Sequence, residues 1–157
     1  MSTNAIGLEK EQAQILARGL NDLLANYQVF YMNTRGYHWN IRGKDFFELH
    51  VKFEELYTDL LTKIDEIAER ILTLGEQPEH TYSSYLEAAA IKERTHVSDG
   101  TEAVSQILEA FRTVIARQRA VLSQAAEADD EGTSALMSDY IREQEKQVWM
   151  YSAYLNR

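Results

Sequence analysis

The chain has 157 residues, a net charge of -9, one proline, seven glycines and no cysteine. It is long enough for one domain with its own core, and without cysteine it has no disulfide, thiolate metal site or cysteine nucleophile. Its acidity repels phosphate backbones and attracts cations, no window is apolar enough to span a bilayer, and MSTNAIGLEKEQ lacks the basic-then-apolar order of a signal peptide.

The spacing predicts a first helix from about Leu8 to about His38, where Leu16, Leu20, Leu23, Tyr27 and Phe30 alternate steps of four and three. It breaks near Asn40-Ile41-Arg42-Gly43. A second helix begins at Asp45, which has capping-box spacing with Glu48. Its face is Phe53, Leu56, Leu60, Ile64, Ile67, Ile71 and Leu74, and Gly75 followed by Pro78 ends it. Residues 76–97 form a longer connection that holds a short helix around Tyr82, Tyr85 and Leu86.

A third long helix runs from Ser98 or Asp99 to about Ala126, with Gln118 the one polar interruption of its apolar face. After the acidic connection Asp129-Asp130-Glu131-Gly132, Thr133 caps a last helix marked by Met137, Ile141, Gln144, Val148, Tyr151 and Leu155. No segment alternates as a strand does. The expected fold is all-α: a four-helix bundle with a short extra helix between helices 2 and 3. It is a single domain over residues 1–157, of which about 1–8 are an N-terminal tail.

Five residues carry candidate chemistry: His38, His50, Glu54, Asp65 and Glu69. Imidazole and carboxylate suit iron and similar divalent metals. His50 with Glu54, and Asp65 with Glu69, share a face at four-residue spacing. His50 and Asp65, however, stand roughly 22 Å apart along one helix at 1.5 Å per residue, too far for one metal site. Two copies packed antiparallel about a two-fold axis near residues 59 and 60 bring His50 and Glu54 of one chain opposite Asp65 and Glu69 of the other. His38, across the short turn, completes the first pair. The competing reading is ordinary surface ion pairing of Asp65 and Glu69 with the nearby Lys63 and Arg70.

The run Tyr37-His38-Trp39-Asn40-Ile41-Arg42-Gly43, followed by Phe46, Phe47, His50 and Asp65-Glu66-Ile67-Ala68-Glu69-Arg70, closely resembles the Dps family of mini-ferritins, and the likeness covers essentially the whole chain. The resemblance implies a ferritin-like bundle, a hollow homo-dodecamer, and ferroxidase centres at two-fold interfaces, and the lack of cysteine fits the expected cytoplasmic location. Two histidines and a carboxylate from one subunit (His38, His50, Glu54) would meet an aspartate and a glutamate from its neighbour (Asp65, Glu69). Glu54 stands where aspartate is more usual, and its extra methylene alters the reach to a second iron.

Trp39 reads on its own as an aromatic anchor at a helix end. The resemblance adds a tryptophan that takes up an oxidising equivalent beside the iron centre. It also implies acidic residues near the start of the last helix lining three-fold iron pores, which here points to Asp129, Asp130 and Glu131, with Asp139 a weaker candidate. His80 and His96 fall outside these patterns.

The expected function is oxidation of iron(II) by hydrogen peroxide, or more slowly by dioxygen, with ferric mineral stored in the shell and protection against oxidative stress. DNA binding is expected to be weak or absent, because Met1 to Leu8 carries no basic side chain and the net charge is -9. The alternatives are a nucleoid-binding protein with a minor ferroxidase role and a structural bundle without metal chemistry.

Overall fold

The computed structural model describes residues 2–157. It contains α1 (Lys10–Asn40), α2 (Phe46–Thr73), α3 (Tyr82–Ala88), α4 (Gly100–Glu127) and α5 (Glu131–Tyr154). The four long helices make the bundle. α1 packs against α2 and α4, α4 packs against α5, and α3 lies in the long connection against α1. The four-three stripe of α1 is buried throughout, from Leu16 to Phe30, so hydrophobic burial rather than helix propensity accounts for its length.

The helix ends show which local signals prevailed. α2 stops in a Schellman motif: Gly75 takes φ +90°, its amide donates to Leu72, and the Glu76 amide donates to Ile71. Asp99 caps α4 by accepting from the Glu102 amide at 2.9 Å. The capping box expected at Asp45 does not form, since no side-chain bond caps α2. The Asp45 carboxylate instead accepts from the Tyr154 hydroxyl at 2.8 Å, tying α2 to the end of α5. The cap of α5 is Asp130 rather than Thr133, and Thr133 supplies the amide that Asp130 accepts, at 3.0 Å.

Gln118 does not interrupt the core. The Tyr27 hydroxyl donates to Gln118 Oε1 at 2.6 Å, Gln118 Nε2 donates to Gln144 Oε1 at 2.8 Å, and Gln144 Nε2 returns to the Tyr27 oxygen at 2.7 Å. This closed ring joins α1, α4 and α5 with all three residues fully buried. Each bond contributes about 1 kcal/mol net, and losing one partner costs more because the others stay buried.

At the end of α2, Arg70 donates to Asp130 at 2.7 Å and to the Thr133 hydroxyl at 2.9 Å. Its guanidinium lies so close to Gly132 that a Cβ there would meet it at 2.8 Å. At the other terminus, Ser2–Glu9 is pinned rather than loose. Asn4 accepts from the Leu8 amide at 2.9 Å and donates to the Leu74 carbonyl at 3.1 Å, which hooks the segment onto the end of α2.

Candidate metal centre

The last turn of α1 and the first turns of α2 bring His38, His50 and Glu54 together. The two imidazoles stack with centroids 3.8 Å apart and planes within 12°. Each locks the other: His38 Nδ1 donates to the His50 carbonyl at 2.6 Å, and His50 Nδ1 donates to the His38 carbonyl at 2.7 Å. A carbonyl only accepts, so each Nδ1 carries a proton, and Nε2 is the ring nitrogen left to bind a metal. Glu54 Oε1 stands 3.8 Å from His38 Nε2. That is too long for a hydrogen bond and suits two donors that each lie about 2.0–2.2 Å from a shared divalent ion.

Aromatic side chains clamp this half-site. Phe46 stacks on His50 (4.9 Å, 17°), and Tyr57 meets His38 edge-on at 5.3 Å. The Arg35 guanidinium lies over Tyr57 at 4.5 Å and over Trp39 at 5.0 Å, and it donates to the Tyr31 hydroxyl. Trp39 is 58% exposed, so it covers Arg35 rather than anchoring a helix end in the core. Phe46 stood in the run that carries the family resemblance but was given no role there, and Tyr57 and Arg35 were not singled out from the sequence. Their signal was helical spacing, since each lies three or four residues from a candidate ligand.

Asp65 and Glu69 are exposed on α2, far from the histidines. They do not pair with Lys63 or Arg70: Lys63 is buried against Asp59 (2.8 Å) and Glu143 (3.2 Å), and Arg70 goes to Asp130. Among the described residues, no group of three or more histidine, aspartate or glutamate side chains forms a complete metal site within one chain. His80 and His96 are exposed on the connection and touch none of these groups.

The exposed face of α2 carries a regular stripe. Phe47, Val51, Glu54, Thr58, Leu61, Asp65, Ala68 and Leu72 step by four and three along the whole helix. Large apolar members are left in solvent in the single chain, with Phe47 77%, Val51 55%, Leu61 49% and Leu72 58% exposed. The stripe is symmetric about the point between Asp59 and Leu60. Reflected through that point, Phe47 falls on Leu72, Val51 on Ala68, Glu54 on Asp65, and beside the stripe His50 falls on Glu69.

Of the three acidic residues at the start of α5, Asp129 and Glu131 are exposed. Asp130 is 2% exposed, and its carboxylate is used by Arg70 and by the α5 cap. It is a structural residue and cannot line a pore.

The bundle with this half-site defines a ferritin-like protein, and the ferritin-like domain profile matches residues 17–157. A Dps protein from Vibrio cholerae, described as a member of a broad superfamily of ferritin-like diiron-carboxylate proteins, superposes with a TM-score of 0.97 at 63% identity, covering 99% of this chain and 98% of that one. A Dps protein from Bacillus brevis gives a TM-score of 0.90 at 38% identity over 94% and 99% of the two chains. The DNA protection during starvation protein of Porphyromonas gingivalis is 44% identical over 96% of this chain and 95% of its own length. The chain belongs to the Dps family.

Proposed function

We propose that this protein oxidises iron(II) at sites shared between two copies of the chain and stores the ferric product inside a twelve-subunit shell. The observation that carries this reading is the mirrored register of the α2 stripe. Antiparallel pairing of two α2 helices buries its apolar residues and sets His38, His50 and Glu54 of one copy against Asp65 and Glu69 of the other, twice per pair. The two imidazole Nε2 atoms, with each Nδ1 held by a carbonyl, and the carboxylates are a donor set that fits iron(II).

Two iron(II) ions give one electron each to hydrogen peroxide. The O–O bond breaks and, with two protons, two waters form. Three carboxylates balance the charge gained as the metal becomes iron(III), which favours the oxidised state. The reciprocal His38–His50 lock holds both rings in place while the metal charge changes. Trp39, beside His38 and exposed, takes up an oxidising equivalent when one iron cannot supply both electrons. Asp129 and Glu131 line an iron entrance and gather cations there. Glu54 reaches further than the aspartate usual at its position and sets the spacing of the second iron.

The name of the Porphyromonas gingivalis relative favours a second reading, protection of DNA by direct binding. The net charge of -9 and the pinned, acid-containing Ser2–Glu9 segment weigh against it, because duplex affinity rests on neutralising phosphates. Removing iron(II) and peroxide together protects DNA without contact.

The test is stopped-flow oxidation of iron(II), with peroxide and dioxygen compared. The wild-type chain is expected to show a rapid phase, faster with peroxide, that is absent in His50→Ala and in Asp65→Ala. A rapid phase that survives both substitutions would place the chemistry elsewhere.

A further inference from the structure

The aromatic rings that touch the two imidazoles differ in chemistry. Phe46 stacks on His50, and Tyr57 meets His38 edge-on at 5.3 Å. A phenylalanine ring holds its electrons tightly, whereas a phenol gives one up once its proton can leave. Tyr57 in turn meets Tyr31 edge-on at 6.0 Å. His38, Tyr57 and Tyr31 therefore form a line of rings in contact, leading from a metal-binding imidazole to a half-buried phenol. Trp39 follows His38 in the chain, but its ring lies against Arg35.

Arg35 determines where an oxidising equivalent rests along this line. Its guanidinium is 4.5 Å from the Tyr57 ring centroid, 5.0 Å from Trp39 and 5.7 Å from Tyr31. A fixed cation opposes positive charge on a ring, and more strongly the closer it lies. Of the three rings, Tyr31 is opposed least. The Tyr31 oxygen also accepts from Arg35 Nη1 at 2.8 Å, a bond that a phenoxyl oxygen keeps because it remains an acceptor. That bond does not use the Tyr31 O–H proton, and the residue is exposed enough for the proton to reach water. Tyr57, nearest the cation, is a point of passage rather than of rest.

We propose that Tyr57 relays an electron from Tyr31 to the iron site when only one iron(II) is bound, so that Tyr31 joins Trp39 as a terminal donor. This rests on the iron(II) oxidation proposed above. Peroxide takes two electrons and two protons to become two waters. One electron comes from iron(II), which becomes iron(III). The other leaves Tyr57 and is replaced from Tyr31, whose O–H proton passes to water and whose ring is left as a neutral phenoxyl. The sum consumes one peroxide, one iron(II), one phenol and one proton, and yields two waters, iron(III) and the phenoxyl.

Freeze-quench electron paramagnetic resonance tests this on the assembled protein, mixed with one iron(II) per shared site and an equal amount of peroxide. The wild-type protein is expected to give a radical signal that narrows when ring-deuterated tyrosine is incorporated, the mark of a tyrosyl. Tyr57→Phe keeps the ring and loses the O–H, and it should lower that signal severalfold per iron(III) formed. Tyr31→Phe should abolish the wild-type hyperfine pattern. Counting the signal per iron(III) separates the relay from any effect of either substitution on oxidation itself. Rapid wild-type oxidation with a tryptophan signal alone, or a tyrosyl yield per iron(III) unchanged in Tyr57→Phe, would overturn the relay. Absence of rapid oxidation in the wild-type protein would overturn the function on which it rests.

Discussion

Leu61→Lys strikes the predicted pairing face near its axis. Leu61 is 49% exposed in the single chain, so association can bury about half of it. Full burial of a leucine stabilises by about 1.5–3 kcal/mol, which leaves roughly 1 kcal/mol per copy and about 2 kcal/mol per pair. The two-fold also brings the new ammonium groups to about 8 Å of one another, the spacing of packed helices, where repulsion at an effective dielectric near 20 adds about 2 kcal/mol. The sum, about 4 kcal/mol, weakens pairing roughly a thousandfold. The lysine stem can cover the half of this site that the single chain already buries, so circular dichroism should not change. Sedimentation velocity at micromolar chain concentration should show dissociated chains, and stopped-flow mixing with iron(II) and peroxide should show the rapid phase lost in the same proportion. A dissociated Leu61→Lys chain that oxidises iron(II) at the wild-type rate would refute the shared site. Unchanged association would refute the α2 face as the interface.

Tyr27→Phe opens the buried ring with Gln118 and Gln144 and should cost about 1–3 kcal/mol, read by calorimetry as a fall in Tm of several degrees, without changing the oxidation rate. Arg70→Ala leaves the Asp130 carboxylate buried without its cation and should cost about 3–5 kcal/mol in urea unfolding. Asp129→Ala and Glu131→Ala together should slow iron uptake at low salt and less so at high salt, because exposed charges steer cations through a screened field; equal slowing at both would remove the entrance reading. A gel shift in about 150 mM salt should show no duplex retained by the metal-free protein.

The helices were legible because each of the four long ones keeps a four-three apolar face, and Gly75 announced its own turn. Local caps were less so. Asp45 has capping-box spacing, yet its carboxylate is drawn to Tyr154, 109 residues away. Asp130 displaced Thr133 as the cap because it also answers Arg70, a partner that no local pattern reveals. Gln118 read as an interruption until Tyr27 and Gln144, on two other helices, closed its hydrogen bonds.

At the candidate site, residue types and spacing identified His38, His50 and Glu54 as neighbours, which the structure brings together. The mutual Nδ1-to-carbonyl lock depends on how the turn after Asn40 folds back, and spacing alone does not encode that. The clamp of Phe46, Tyr57 and Arg35 was likewise not legible, because stacking on the imidazoles depends on the same fold-back of the turn. Among the described residues Asp65 and Glu69 have no side-chain partner, and the exposed stripe of α2 adds a surface on which a partner copy fits.

Mixed assemblies test the shared site most directly. Chains carrying Asp65→Ala and chains carrying His50→Ala are each expected to lack rapid iron(II) oxidation alone. Refolded together in equal amounts, half of the pairs are mixed, and each mixed pair holds one complete site of two, so about a quarter of the wild-type rapid phase should return. No recovery from mixtures shown by mass measurement to contain mixed pairs would contradict a site built from two chains.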